Sequence, residues 1–343
     1  MKVFLSLLVA TTAVFGSWNV PEKPDAMILF CGNSNLPLAK AVAAEFDHAL
    51  EGASVSCHND KEIKIQFHEN VRNQDVFVIQ STCTTEFASV NDNLMELYLM
   101  IRALKRASAR SVTAIIPYFG YARQDRKCVP RVPISAADVA MMIETAGADR
   151  VVSIDLHCGQ IQGFFQHIPV DNLYASRMLV PYFAEKDLWN PVIVSPDAGG
   201  VSRAKYFREK LAQRGIDSGF GIIIKQRQEA GKIAQMDFVG DVDGRDVIIV
   251  DDMCDTAGTL TKAAKVLKKL GARDIYACIT HPVFSGPAIN RIENSCFTEV
   301  VVTDTIPLRG EVTTKVTQLT VAPLIAEVIR RLQNGESISK VFR

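Results

Sequence analysis

The sequence predicts an α/β protein of two related domains, each with a mostly parallel central sheet flanked by helices. The chain has 343 residues, which suits two compact domains of roughly 150 residues each. Apolar, β-branched runs at 112–117, 151–156 and 247–252 are typical of strands buried on both faces, and helical patterns separate them. An internal repeat is the third observation that supports this fold class.

The repeat matches a strand, a helix and a second strand in each half of the chain. Residues 75–81 (DVFVIQS), an amphipathic stretch and residues 109–116 (ARSVTAII) are matched later by DVIIVDD at 246–252, TLTKAAKVLKKLG and ARDIYACI. Helical crossovers between parallel strands are almost always right-handed. We therefore expect a duplicated α/β unit whose ligands bind at the carboxyl ends of the strands.

The two domains are expected at residues 27–170 and 171–343, after a leader or extension at residues 1–26. The first sixteen residues carry one Lys, a short apolar run and then small residues, which is the layout of a signal peptide. An unstructured extension is the alternative. The run is short for a bilayer, so we expect no stable membrane span in the mature protein. We expect a cytoplasmic or organellar protein, with the leader suggesting organelle targeting.

Charge and cysteine content argue against a nucleic-acid-binding protein and against a zinc-finger protein. Lys plus Arg and Asp plus Glu number 38 each, so no basic excess exists to hold a nucleic-acid backbone. We therefore expect no nucleic-acid partner. The eight cysteines are scattered, with no CxxC pair and no histidine at zinc-finger spacing, and we expect free thiols in a reducing compartment.

The most informative motif is VDDMCDTAGTL at residues 250–260, between a buried strand and the start of a helix. Gly258 and the small Ala257 let backbone amides approach a phosphate closely. Thr256 and Thr259 add hydroxyl groups, and the helix that follows presents its free N–H groups. The sequence therefore predicts a site for a sugar phosphate.

Two acidic residues, Asp251 and Asp252, precede this loop and are suited to accept hydrogen bonds from ribose hydroxyls. In the first copy of the repeat the equivalent positions are Gln80 and Ser81, so only the second copy keeps the acidic pair. The plainer alternative is an N-cap followed by a tight turn. Capping explains one Asp or Thr but not the whole run, so we favour the phosphate site.

Further segments carry charged residues or glycines at strand ends. Residues 117–127 (PYFGYARQDRK) and 131–136 (RVPISA) form a basic loop suited to close over a polyanion. Residues 153–165 (SIDLHCGQIQGFF) end a strand in an acid and a histidine, and residues 195–200 (SPDAGG) end another in an acid and paired glycines. Residues 222–227 (IIIKQR) would place two cations on one face of a strand. A solvated loop and a satisfied core histidine are the alternatives.

Together with the phosphate loop, these segments resemble ribose-phosphate pyrophosphokinase over about residues 27–342. The resemblance implies two phosphoribosyltransferase-like domains, with ATP held by the first and ribose 5-phosphate by the second. It implies an enzyme of nucleotide biosynthesis that transfers the pyrophosphoryl group of Mg-ATP to the 1-hydroxyl of ribose 5-phosphate, giving phosphoribosyl diphosphate and AMP. The implied cofactor is Mg²⁺, and the implied assembly is a homo-oligomer based on dimers, commonly a hexamer.

The resemblance also implies roles for individual residues. The implied catalytic residues are Lys225 and Arg227. The residues implied to bind ATP are Asp60, Lys61, Glu62, Arg123 and Gln124, and those implied at the metal are Asp155, His157 and Asp197. The residues implied to bind ribose 5-phosphate are Arg227, Asp251, Asp252, Asp255, Thr256, Ala257, Gly258 and Thr259. His58 to Glu62 are expected to reach the ATP site of a neighbouring subunit.

Some positions depart from the family and keep alternatives open. His58 stands where the family has Phe beside adenine, while Cys128 and Ala137 replace a usual acid and a usual cation. These departures support one alternative, a non-catalytic regulatory subunit that associates with such a synthetase. The phosphate loop alone supports another, a phosphoribosyltransferase. No Walker A or GxGxxG sequence is present, which argues against P-loop ATPases, protein kinases and dehydrogenases.

Overall fold

The computed structural model describes residues 27–229 and 232–341, with the backbone alone for residues 225–229 and 232–235. Up to residue 184 the elements, in chain order, are β1 (Ile28–Cys31), α1 (Leu36–Ala44), β2 (Ala53–Cys57), β3 (Ile63–Phe67), β4 (Asp75–Ile79), α2 (Val90–Arg106), β5 (Ser111–Ile116), α3 (Ser135–Ala146), β6 (Arg150–Ile154), β7 (Val170–Leu173) and α4 (Ser176–Ala184). Within this part, five parallel strands form a sheet in the order β1-β4-β5-β6-β7. Strands β2 and β3 form a separate antiparallel hairpin.

The second sheet is built from the remainder of the chain. The strands and helices of this part are β8 (Val192–Ser195), α5 (Val201–Ala212), β9 (Gly219–Glu229), β10 (Lys232–Val239), β11 (Val247–Cys254), α6 (Gly258–Lys269), β12 (Ile275–Pro282), α7 (Ala288–Glu293), β13 (Glu299–Thr303), β14 (Val316–Leu319) and α8 (Ala322–Gln333). The described strands are ordered β10-β9-β8-β11-β12-β13-β14, and all neighbours are parallel except β10 and β9. The predicted α/β class with two mostly parallel sheets is confirmed.

Burial explains why the apolar runs form strands. Val76 to Ile79 of β4 are each at most 3% exposed, because helices cover both faces of the first sheet. Helix α2 begins with a capping box: the Ser89 hydroxyl accepts the N–H of Asp92, and the Asp92 carboxylate accepts the N–H of Ser89. Its apolar face, including Leu97, then packs against the sheet.

The two domains share one apolar core. Leu38 and Val42 of α1 pack in it with Phe183 of α4 and with Ile325 and Ile329 of α8, and each is at most 1% exposed. This shared core fixes how the sheets lie relative to each other. As a result, the carboxyl ends of strands from both sheets face one cavity.

The predicted boundary between residues 170 and 171 falls within β7, which is the edge strand of the first sheet. The division into these two ranges stays a prediction. The predicted leader at 1–26 lies outside the described residues. No helix within residues 27–229 and 232–341 is both long and apolar enough to cross a membrane. All eight cysteines are free thiols, as predicted.

The internal repeat appears in the structure as a repeated ion pair. Arg110 donates to Asp75 through Nε at 2.7 Å and also through Nη2. Arg273 donates to Asp246 through Nε at 2.7 Å and through Nη2 at 2.5 Å. Burial alone would raise the pKa of Asp246, but its bonds from Arg273 and from the N–H of Trp189 hold that pKa below the ordinary value of 3.8.

The two pairs predict unequal contributions to stability. The Asp246 side chain is fully buried whereas that of Asp75 is 26% exposed. We expect D246N to lower the free energy of unfolding by about 2 kcal/mol, because the fully buried side chain loses an oxygen that accepts from Trp189 and Arg273. The matched variant D75N should cost less than about 1 kcal/mol. Urea unfolding at pH 7 measures both, and equal losses would contradict the expectation.

The stability lost in D246N should also depend on pH. Since the folded-state pKa of Asp246 lies below 3.8, its ionised form stabilises the fold above that pH. That contribution is lost as the pH falls through the folded-state pKa. The difference between the wild-type chain and D246N should therefore be full at pH 7 and shrink below pH 3.8.

Candidate active site

A cavity of about 1400 Å³ lies between the two domains. Its walls come from the carboxyl ends of β6 in the first sheet and of β8 and β11 in the second, together with residues 222–224 in the middle of β9. This is where parallel sheets bind ligands, because the loops and helix N-termini that follow the strands gather there. The position agrees with the expectation from sequence that the informative motifs meet at strand ends.

The predicted phosphate loop follows β11 and forms one wall of the cavity. Ala257 adopts a left-handed backbone conformation with φ of 57°, which turns the chain so that α6 begins at Gly258. A Cβ on Gly258 would lie 3.1 Å from Nη1 of Arg291, which itself donates to the carbonyl of Thr256 at 2.9 Å. Residues from Thr256 to Thr259 line the cavity. The loop is thus a compact turn at a helix N-terminus, suited to an anion.

The acidic pair at the end of β11 is tied to both domains. Nδ1 of His157 lies 2.7 Å from Oδ2 of Asp252, and Nη1 of Arg203 lies 3.3 Å from the other oxygen of Asp252. The same Arg203 nitrogen lies 3.7 Å from Oδ1 of Asp251. A carboxylate can only accept, so the ionised Asp252 requires the hydrogen of His157 on Nδ1. These contacts therefore connect His157 of the first domain to Asp251 and Asp252 of the second.

These contacts shift the protonation of the pair in opposite directions. Burial would raise the pKa of Asp252, but the hydrogen bond from His157 and the charge of Arg203 hold it well below its usual range. Burial and the charge of Asp252 raise the pKa of Asp251 well above its usual range. The hydrogen bond to Asp252 raises the pKa of His157.

The three residues predicted at the metal are placed differently. Asp155 is buried, and its Oδ2 accepts from the N–H of Ala175 at 3.1 Å and from the hydroxyl of Thr280 at 2.6 Å. Its side chain therefore joins the two domains. His157 and Asp197 line the cavity more openly, and Oδ1 of Asp197 accepts the N–H of Gly200 at 3.1 Å, within the SPDAGG turn.

The basic loop reaches across the cavity to the phosphate loop. Nη1 of Arg123 donates to Oδ2 of Asp255 at 2.5 Å. This bond connects a residue predicted to bind ATP with one predicted to bind ribose 5-phosphate. The side-chain oxygen Oε1 of Gln124 instead accepts a hydrogen bond from the hydroxyl of Ser135, and the Gln124 side chain is not among those that line the cavity in the described part. The structure thus brings Arg123 and Asp255 together and leaves Gln124 at the base of the loop.

One group of predicted residues lies away from the described cavity of its own chain, and of a second group the structure describes the backbone alone. Asp60, Lys61 and Glu62 lie at the exposed tip of the hairpin of β2 and β3, where Oδ1 of Asp60 accepts the N–H of Glu62 at 3.1 Å. The backbone of Lys225 and Arg227 lies in β9, next to β8, and the side chains of both lie outside the described residues.

The cavity suits a magnesium ion that is shared with phosphate groups. Within the described residues, no three His, Cys, Asp or Glu side chains are gathered so that they would hold a metal alone. Magnesium usually takes one or two carboxylates and completes its shell with water and substrate phosphates. The carboxylates of Asp197, Asp251 and Asp252 line the cavity, so its oxygen donors fit that ion.

Sequence reasoning missed several residues of this region. Arg203 lies in the first turn of α5, three residues after the SPDAGG turn, and a cation so close to a strand end was the available signal. Thr280 and His281, at the end of β12, contact Asp155. Burial lowers the pKa of His281, whose ring packs edge-on against Tyr118 at 5.0 Å between centroids.

Two domains that face one cavity with a phosphate loop, acidic pair and basic loop define an α/β enzyme that acts on phosphorylated substrates. Residues 27–147 match the family described as the N-terminal domain of ribose phosphate pyrophosphokinase, and residues 222–343 match the phosphoribosyl synthetase-associated domain. The chain belongs to the ribose-phosphate pyrophosphokinase family.

Individual relatives support this membership along most of the chain. A ribose-phosphate pyrophosphokinase of Wolinella succinogenes is 52% identical over 314 residues, covering 92% of this chain and 98% of the relative. One from Shewanella oneidensis is 52% identical over 317 residues, covering 92% and 98% respectively. The crystal structure of a phosphoribosylpyrophosphate synthetase from Mycobacterium smegmatis is 40% identical, with a TM-score of 0.83 over 90% of this chain and 99% of that one.

Proposed function

We propose that this chain transfers the pyrophosphoryl group of Mg-ATP to the 1-hydroxyl of ribose 5-phosphate, giving phosphoribosyl diphosphate and AMP. The observation that carries the proposal is the cavity shared by both domains, in which the phosphate loop and Asp252 face His157 and Arg123 of the other domain. The names of the relatives support the same activity. Two polyanion sites that share one cavity suit a transfer between two phosphorylated substrates.

In this proposal the second domain binds ribose 5-phosphate. The 5-phosphate accepts hydrogen bonds from the backbone and hydroxyls of the loop from Asp255 to Thr259, where the dipole of α6 favours negative charge. Asp251 and Asp252 accept hydrogen bonds from the ribose hydroxyls. The contact between Arg123 and Asp255 opens as the substrates enter, since both side chains then have ligand partners.

The first domain holds ATP. Arg123 contacts its phosphates, and Gln124 keeps the proposed nucleotide contact only if its bond to Ser135 opens. His157, with Asp197 of the second domain, would hold the ATP-bound magnesium, which would supply charge neutralisation on the phosphate oxygens. Asp155 is proposed to position the end of β6, because its carboxylate already accepts hydrogen bonds from Ala175 and Thr280.

The reaction is a displacement at the β-phosphorus of ATP. The 1-hydroxyl oxygen forms a bond to that phosphorus while the bond to the oxygen bridging the α- and β-phosphorus breaks, and AMP leaves. Such a transfer needs positioning and charge neutralisation more than a strong base. Lys225 and Arg227, which follow the cavity-lining residues 222–224 along β9, are proposed to neutralise the charge that develops on the transferred group.

The adenine contacts are proposed to come from a second subunit. His58 to Glu62 lie at an exposed hairpin tip and do not line the cavity of their own chain within the described part. We propose a homo-oligomer based on dimers, with a hexamer as the larger assembly, in which this tip completes a neighbour's ATP site.

The decisive experiment measures AMP release from Mg-ATP by the full chain, with ribose 5-phosphate present or omitted. We expect AMP only when the sugar phosphate is present, in equal amount to phosphoribosyl diphosphate. Pyrophosphate release with a nucleobase and no ATP would instead indicate a phosphoribosyltransferase. A folded oligomer without turnover that activates a true synthetase would indicate the regulatory subunit.

A further inference from the structure

Arg203 lies beneath the acidic pair of the cavity and is not explained by the roles proposed above. It belongs to the first turn of α5, and its side chain is 20% exposed. Its Nη1 lies 3.3 Å from Oδ1 of Asp252 and 3.7 Å from Oδ1 of Asp251. Among the described side chains, it is the one cation that contacts both carboxylates.

The acidic pair needs such a cation. One nitrogen of Arg203 lies 3.3 Å from an oxygen of Asp252 and 3.7 Å from an oxygen of Asp251, so the two carboxyl groups lie close together. The Asp252 side chain is 4% exposed, and water therefore screens little of their repulsion. A cation within 4 Å of both carboxyl groups offsets this repulsion and fixes their orientations.

The other cations of the cavity have different partners. His157 contacts Oδ2 of Asp252 and leaves Asp251 untouched in the described contacts. Arg123 pairs with Asp255 in the phosphate loop. The planar guanidinium of Arg203 carries several N–H donors and can serve two carboxylates at once, which the single ammonium of a lysine does less well.

We propose that Arg203 is a positioning residue for the sugar substrate. It holds Asp251 and Asp252 so that their free oxygens meet the ribose hydroxyls. This inference rests on the proposed function. In this role Arg203 acts through the two carboxylates.

The proposal predicts an effect on one substrate rather than on both. R203Q should raise KM for ribose 5-phosphate about 30-fold, because the charged hydrogen bond to Asp252 and the ion pair with Asp251 are lost. KM for ATP should stay within about threefold, since the ATP phosphates are held by other groups. R203K keeps the charge but reaches one carboxylate, so its KM for ribose 5-phosphate should lie between those of R203Q and the wild type.

The matched control is Arg208 on the same helix. Its Nε donates to the carbonyl of Ser218 at 2.8 Å, and it does not line the cavity. R208Q removes an arginine from α5 with a structural contact only, so both KM values should stay at the wild-type level. A merely structural Arg203 would make R203Q behave like R208Q.

The experiment combines steady-state kinetics of the full chain with a binding measurement that needs no turnover. The rise in Tm produced by ribose 5-phosphate alone should be largely lost in R203Q, partly kept in R203K and unchanged in R208Q. An equal change in both KM values, or an unchanged Tm response in R203Q, would overturn the proposal. If R203Q does not fold, R203K carries the same comparison.

The two proposals fail separately. A wild-type chain that binds ribose 5-phosphate but releases no AMP would contradict the proposed function, and the Tm comparison would still test Arg203. An active wild-type chain with an unchanged R203Q would contradict the role of Arg203 and leave the proposed function intact.

Discussion

Lys225→Ala is expected to lower kcat by a factor of about 10² to 10³, which corresponds to on the order of 3 kcal/mol or more in the barrier. The register of β9 supports this expectation. Pairing with β8 ends at Ser195, opposite Ile222, whereas β9 continues through Lys225 to Glu229 with β10 as its neighbour. Lys225 therefore lies beyond the carboxyl end of β8, where the cavity opens. A cation there neutralises charge that forms only during transfer, so kcat should fall.

The measurement is AMP release at saturating Mg-ATP and ribose 5-phosphate. The backbone pairing of Lys225 with Met236 does not depend on its side chain, so Tm should stay close to the wild-type value. Lys265→Ala, at an exposed position on α6, is the control and should keep full activity. A K225A chain as active as K265A would refute the catalytic role of Lys225.

Much of the fold could be predicted from sequence because its signals are local. Fully buried parallel strands require β-branched apolar runs, and those runs stand out at 112–117 and 247–252. The repeat also predicted equivalent positions correctly, since Asp75 pairs with Arg110 as Asp246 pairs with Arg273. The phosphate loop is equally local, because strand, turn and helix start are consecutive in the chain.

The rest of the site could not be predicted because its partners are distant in sequence. Asp155 and His157 both closely follow β6, and nothing local in the sequence distinguishes their roles. The structure does so through Thr280, which lies 125 residues after Asp155, and through Asp252, which lies 95 residues after His157. Arg203 is coupled to Asp252 in the same way. Such contacts arise only when two sheets pack around a shared core.

Mixing two inactive variants is expected to restore activity, because each proposed site takes residues from two subunits. The first variant is K225A, which damages the site of its own chain. The second is H58A/E62A, which damages the hairpin tip and leaves Asp60 to cap its turn. The double variant should raise KM for ATP about 100-fold, from the loss of a stacking contact and a hydrogen bond.

In a hybrid dimer, one site would combine the intact cavity of the H58A/E62A chain with the intact tip of the K225A chain. If subunits exchange randomly, half of the dimers are hybrid and each holds one intact site of two, so activity should reach about a quarter of the wild-type value. The assay measures AMP release at low ATP concentration after the two proteins are unfolded, mixed and refolded together. Each variant refolded alone is the control and should stay nearly inactive. A mixture no more active than the average of its two components would show that each chain completes its own ATP site, and the exposed tip from His58 to Glu62 would then need another role.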